Sequence, residues 1–200
     1  YDTLNKAFLP TDGERQRVSF DMSIPGSDLE YYTVNYLGET YIPLLDKEDV
    51  SLRLKARLGY GDGFGDSSGL PFLKNFFAGG IRSVRGYAYN SLGADNTLYE
   101  TSTAGVFETA GGNVLLTGTA ALQFPLPGVK ETDQARLSLF TDVGQIYNDN
   151  IEVDELRYSA GLALAWMTPI GPLSFTYAAA LNSESRDETE GFQFSIGSTF

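Results

Sequence analysis

The chain has 200 residues, with 22 Gly, 12 Tyr, 13 Phe and a net charge of -12, so free nucleic acid and anionic membrane surfaces are poor partners for it. It has no Cys and no His, which removes thiol nucleophiles, disulfides, the usual zinc ligands and the commonest general base. No apolar run reaches the ~18 residues of a membrane-spanning helix, and residues 1–10 lack the charged and apolar regions of a signal peptide.

Taken in chain order, the ordered segments alternate with period two, as strands with two different faces do. The pattern starts midway, as in a piece of something longer. In the first strand, residues 14–24, Val18, Phe20, Met22 and Ile24 oppose Arg17, Ser19, Asp21 and Ser23. The second, 30–42, is rich in aromatics and weakly patterned. The third, 50–60, sets Leu52, Leu54, Ala56 and Leu58 against Ser51, Arg53, Lys55 and Arg57. Residues 61–112 then carry no strand or helix period, yet hold the distinctive run GGIRSVRGYAYNSLG. Alternation resumes at 113–124, where Val114, Leu116, Ala120, Leu122 and Phe124 oppose Thr117, Thr119 and Gln123. It continues through 134–146, 156–167, 172–181 and 191–200. These are eight expected strands and no convincing helix. A tilted strand crossing a bilayer needs about 9–11 residues, against about five or six in globular proteins, and the expected strands fall in the longer class.

The connections support the same reading. Residues 43–49, 126–133 and 167–172 are short and Pro-marked, whereas 62–112, 146–156 and 182–191 are longer and acidic. Short turns at one end and long loops at the other fit a transmembrane barrel, although 24–28 is a short turn on the long-loop side. The polar face, rich in Ser, Thr, Gly, Gln and Ala, suits a confined lumen. Tyr41, Tyr60, Phe124, Trp166 and Phe200, near strand ends, suggest interface girdles. The competing architecture is a soluble jelly-roll or lectin-like sandwich with the apolar rows as its core.

Several stretches bear a family resemblance. GFQFSIGSTF, ending on Phe200, resembles the terminal strand of bacterial outer-membrane barrels. AGGIRSVRGY resembles the signature loop of the outer-membrane insertase and two-partner translocator superfamily. FLPTDGERQRVSF, SIPGSDLEYYTV, LGYGDGFG, LFTDVGQIY and AWMTPIGPLSFTYA, in order along the whole chain, are similar to the BamA-like family of that superfamily. The resemblance implies an all-β, antiparallel, sixteen-stranded transmembrane barrel preceded by POTRA domains. The eight strands here would be its C-terminal half, with the loop 61–112 folded into the lumen. It implies a Gram-negative outer-membrane location and a subunit that folds and inserts β-barrel proteins at a lateral gate, without covalent chemistry, catalytic residues, metal or cofactor. Expected partners are nascent barrel proteins, accessory lipoproteins reached mainly through the POTRA domains, and outer-membrane lipid with lipopolysaccharide. The alternative within the superfamily is a TamA-like or two-partner secretion translocator that passes a polypeptide through the lumen.

The resemblance also marks residues. Val84, Arg85, Gly86 and Tyr87 form the loop motif. A guanidinium directed into a lumen needs a carboxylate or water. Asp142, on a lumenal position, is the expected partner, and Gln123 stands where the family has a second acid. Arg53, Lys55 and Arg57 read as lumenal charges balanced by acids such as Asp62, Asp66 or Glu108, and the acidic run 183–190 as a solvated loop. In the gate strand Phe192, Phe194, Ile196 and Phe200 form the apolar row. Gly197 is expected to weaken the closing ladder.

Overall fold

A computed structural model describes residues 1–45, 50–93, 109–126 and 134–197. Its strands are β1 (Gly13–Met22), β2 (Tyr31–Pro43), β3 (Ser51–Gly63), β4 (Gly86–Tyr87), β5 (Val114–Pro125), β6 (Ala135–Tyr147), β7 (Arg157–Thr168), β8 (Gly171–Ala180), β9 (Thr189–Glu190) and β10 (Phe192–Ile196). Among the described residues the only helical pieces are single turns at Phe72–Lys74 and Val153–Glu155. Eight strands form one antiparallel sheet in the order β1-β2-β3-β5-β6-β7-β8-β10, and β4 pairs separately with β9. Every strand of the large sheet lies beside its neighbour in sequence, the meander expected of an up-and-down barrel half. β1 and β10 are its edges.

Register carries the alternation across the whole sheet. Leu122 pairs with Leu139, Leu139 with Leu162, Leu162 with Tyr177 and Tyr177 with Phe192. A second row runs Phe124, Leu137, Leu164, Phe175, Phe194. These rows face outward: Leu139 is 56% exposed, Tyr177 70% and Phe194 62%. The opposite face is polar and buried, with Arg136, Asp142, Arg157 and Ser174 at 1–2%. In water this arrangement would be inside out, because apolar area gains by leaving solvent and charges lose by it. No second sheet covers the apolar rows among the described residues, so the sandwich alternative fails.

The concave face is filled by the long loop after β3. Ala78, Val84, Tyr87 and Leu92 of that loop pack against Leu115 of β5 and Ile146 of β6. A second small cluster, Ala121, Phe140, Ala163 and Ala178, lies on the same face under Arg85. One girdle assignment is corrected. Tyr41 is buried and shares the parity of Glu39, whose carboxylate accepts from its hydroxyl, so it points into the concave side. Tyr60 and Trp166 do face outward, and Phe200 lies outside the described residues.

Candidate functional site

The motif is shaped by glycine before it is held by charge. Gly79, Gly80 and Gly86 have φ of +103°, +88° and +90°, values that favour glycine. They fold the loop into a tight excursion, in which the Gly80 N–H donates to the Tyr87 carbonyl at 2.9 Å and the Ser83 N–H to the Gly80 carbonyl at 3.0 Å. At Gly86 a methyl group would sit 3.2 Å from the Ala178 Cβ, so the motif lies directly on β8.

Arg85 is then aimed at β6. Its Nε donates to Asp142 Oδ2 at 2.7 Å and its Nη2 to Oδ1 at 2.8 Å, a fork-on-fork pair. The Arg85 backbone N–H adds a third bond to Oδ2 at 3.0 Å. Both side chains are buried, 4% and 0% exposed. The guanidinium carbon lies 3.4 Å from the centroid of the Phe140 ring, so the cation is stacked as well as paired. Phe140 has the parity of Asp142 and lies one lumenal position before it, which makes it readable from alternation although the motif does not point to it.

Val84 and Tyr87 wedge the motif on either side of Arg85, each with no exposed surface. The Tyr87 hydroxyl donates toward the Tyr158 carbonyl at 3.3 Å and Asn182 Oδ1 at 3.4 Å. Burial pushes its phenol up to about 12, and the nearby Asp187 carboxylate adds to the shift.

Gln123 is not at this site. It pairs in register with Ser51 and Ser138, and its Oε1 accepts from the Ser51 hydroxyl at 3.4 Å. Asp142 lies opposite Thr119, so Gln123 is displaced four residues along β5, about 13 Å at ~3.3 Å per residue. The same face on paired strands does not mean the same level.

The lumenal cations are balanced differently from the sequence expectation. Arg53 pairs with Glu39 of β2 at 3.3 Å, and Glu39 also holds Arg15 of β1 at 3.2 Å, which in turn holds Asp2 at 2.8 Å. Asp62 accepts from Tyr60 and Gly63, while Asp66 uses its backbone N–H to bond Glu30; Glu108 lies outside the described residues. The acidic run after β8 is likewise not merely solvated. Asp187 takes a 2.6 Å bond from Nε of Arg157, itself 1% exposed, and Glu184 meets the same guanidinium at 3.2 Å. Neither link was legible, because ion pairs between loop and strand leave no period.

At the far edge, β10 pairs with β8 over five residues, from Phe192 opposite Tyr177 to Ile196 opposite Leu173. Phe192, Phe194 and Ile196 point outward. Gly197 has φ of +82°, and its N–H reaches the Pro172 carbonyl at 2.8 Å. Gln193, between Phe192 and Phe194, points inward and is 5% exposed.

Comparison with known proteins matches residues 1–200 to the Omp85 superfamily domain. The chain is 35% identical, over 98% of its length, to the outer membrane protein assembly factor BamA of Neisseria meningitidis serogroup B, covering 27% of that protein. It is 24% identical, over its full length, to a SAM50-like protein of Schizosaccharomyces pombe, covering 42% of it. Among solved structures it superposes on the crystal structure of BamA from Haemophilus ducreyi lacking POTRA domains 1-3 with a TM-score of 0.89 and 33% identity, covering 100% of this chain and 41% of that one. The chain therefore spans about a quarter to two fifths of these relatives.

Proposed function

The chain belongs to the Omp85 superfamily, and from that premise we propose that it is the closing part of an outer-membrane assembly factor that folds and inserts other β-barrel proteins. Its location is the Gram-negative outer membrane. The carrying observation is the inverted sheet: apolar rows outward, charges and a seated loop inward, and a five-pair ladder at the edge. Outer-membrane lipid is the partner of those outward rows.

The physical work is an exchange of hydrogen bonds, with no covalent step. In hydrocarbon each unpaired backbone group costs several kcal/mol, so an open strand edge takes up another strand. The pairing exchanged is the barrel's seam, where its first strand would meet the open edge of β10, and β10 is only five residues long, so few bonds have to break. A nascent barrel strand restores as many as it displaces by pairing on the same edge. The exchange is close to balanced and needs no nucleotide. Accessory lipoproteins would set the encounter rather than the chemistry.

Passage of a polypeptide through the lumen is disfavoured by the seated loop. Val84 and Tyr87 have no exposed surface, and Arg85 is locked by three bonds to one carboxylate. A threading chain would have to break that seat at each passage.

The test uses the native, full-length protein reconstituted in liposomes with an unfolded small barrel protein as substrate. Heat-modifiable, protease-resistant substrate should accumulate faster than in empty liposomes. A Ser195→Cys variant should form a disulfide with a cysteine placed in the substrate's terminal strand; this chain brings no other thiol. Unaccelerated folding together with no cross-link would overturn the proposal.

A further inference from the structure

The signature loop and the edge strand are not independent. β4, which is the Gly86–Tyr87 half of the motif, pairs with β9, Gly86 opposite Glu190 and Tyr87 opposite Thr189. The Ala88 N–H extends this pairing to the Glu188 carbonyl at 2.8 Å. β9 runs through Gly191 straight into β10. A strand peeling from β8 therefore pulls on the loop through one residue of covalent chain.

Gln193 closes the connection. Its Nε2 donates to the Tyr87 carbonyl at 2.7 Å and to Glu190 Oε2 at 3.1 Å. Its own carbonyl accepts from the Thr176 hydroxyl of β8 at 3.4 Å. One residue thus touches the motif, the strand before it and the strand beside it. Gln193 Oε1 is buried without a hydrogen-bond partner among the described residues. An unsatisfied buried acceptor is unfavourable, and an apolar residue of the same size would avoid it. What the amide supplies in return is its pair of donors to Tyr87 and Glu190.

We propose that Gln193 is a positioning residue that couples the signature loop to the closing strand, so that seating of Arg85 on Asp142 and pairing of β10 with β8 form one equilibrium. Coupling of this kind is reciprocal: unseating the loop loosens the strand, and loosening the strand unseats the loop. The inference rests on the assembly reading only for calling β10 the closing strand. Its readout is thiol accessibility, which requires no insertion activity.

The experiment uses the full-length protein in outer-membrane vesicles and a soluble maleimide. A reporter Val84→Cys is silent while the loop is seated and reacts in proportion to the unseated fraction. Gln193→Met, nearly isosteric and without a donor, should raise its labelling about tenfold or more. Glu190→Met, at an exposed position and without the oxygen that accepts from Gln193, should raise it by a smaller factor and carries the test if Gln193→Met does not assemble. In the reverse direction, a Thr176→Cys reporter beneath β10 should become more reactive in an Arg85→Met background, by no more than the factor read at Val84. Unchanged labelling at Val84 in the Gln193→Met and Glu190→Met proteins would overturn the proposal, even if the Thr176 reporter responds. So would a Thr176 reporter indifferent to Arg85→Met.

Discussion

Removing either member of the Arg85–Asp142 pair should release the loop almost completely. The carboxylate is 0% exposed and receives three N–H groups at 2.7, 2.8 and 3.0 Å, and the guanidinium is 4% exposed. Taking away one partner strands a charge in a buried place, which costs about 3–5 kcal/mol. At 1.36 kcal/mol per decade this is roughly two to nearly four orders of magnitude in the ratio of seated to unseated loop. Arg85→Met and Asp142→Asn should each raise the labelling of a Val84→Cys reporter accordingly. Exchanging the charges, Arg85→Asp with Asp142→Arg, should recover at least a decade relative to the worse single change. Recovery stops short of complete for two structural reasons. An arginine at 142 cannot accept the backbone N–H of residue 85, and its guanidinium no longer lies over Phe140. Single changes that raise labelling less than tenfold, or an exchanged pair as damaging as the two single effects added together, would refute the reasoning.

Gly86→Ala forces a side chain onto a φ of +90° with Ala178 Cβ 3.2 Å away; about 1–2 kcal/mol of strain should raise Val84→Cys labelling roughly five- to thirtyfold. Glu30, before β2, is held below its ordinary value of 4.5 by the N–H groups of Gly26 and Asp66. A lowered carboxyl stabilises the folded state above its unfolded value and loses that contribution as pH falls through the folded one. Hydrogen exchange at Gly26 and Asp66, corrected for intrinsic rate, should therefore accelerate below about pH 4.5 and lose this pH dependence in Glu30→Gln. The 200-residue chain alone, with β1 and β10 both open as edges, should give no monodisperse, heat-modifiable monomer in detergent; recovery of one by size exclusion and gel shift would contradict this.

Alternation carried the architecture because every strand sees two different surroundings. Phe20, Leu139 and Phe194 are legible as one surface, and Arg53, Asp142 and Gln193 as the other, from parity alone. Parity has no depth coordinate, so it groups Gln123 with Asp142 although register separates them. Tyr41 misled for the opposite reason: an aromatic near a strand end suggests an interface, yet its parity is that of Glu39. The loop contacts were least legible. Gln193 meets Tyr87 across 106 residues and Arg157 meets Asp187 across 30, and no local propensity encodes such distances.

The lace of Asp2, Arg15, Glu39 and Arg53 has a consequence for how the sheet finds its alignment. Acyl tails hardly distinguish one greasy neighbour from another, so a ribbon displaced by two positions would meet oil just as comfortably. The salt links on the inner wall would notice, since Arg15 would then face Leu37 or Tyr41 instead of Glu39. In a protein turned outward to fat, the instruction for threading neighbours correctly is written in ionic contacts on the wet side.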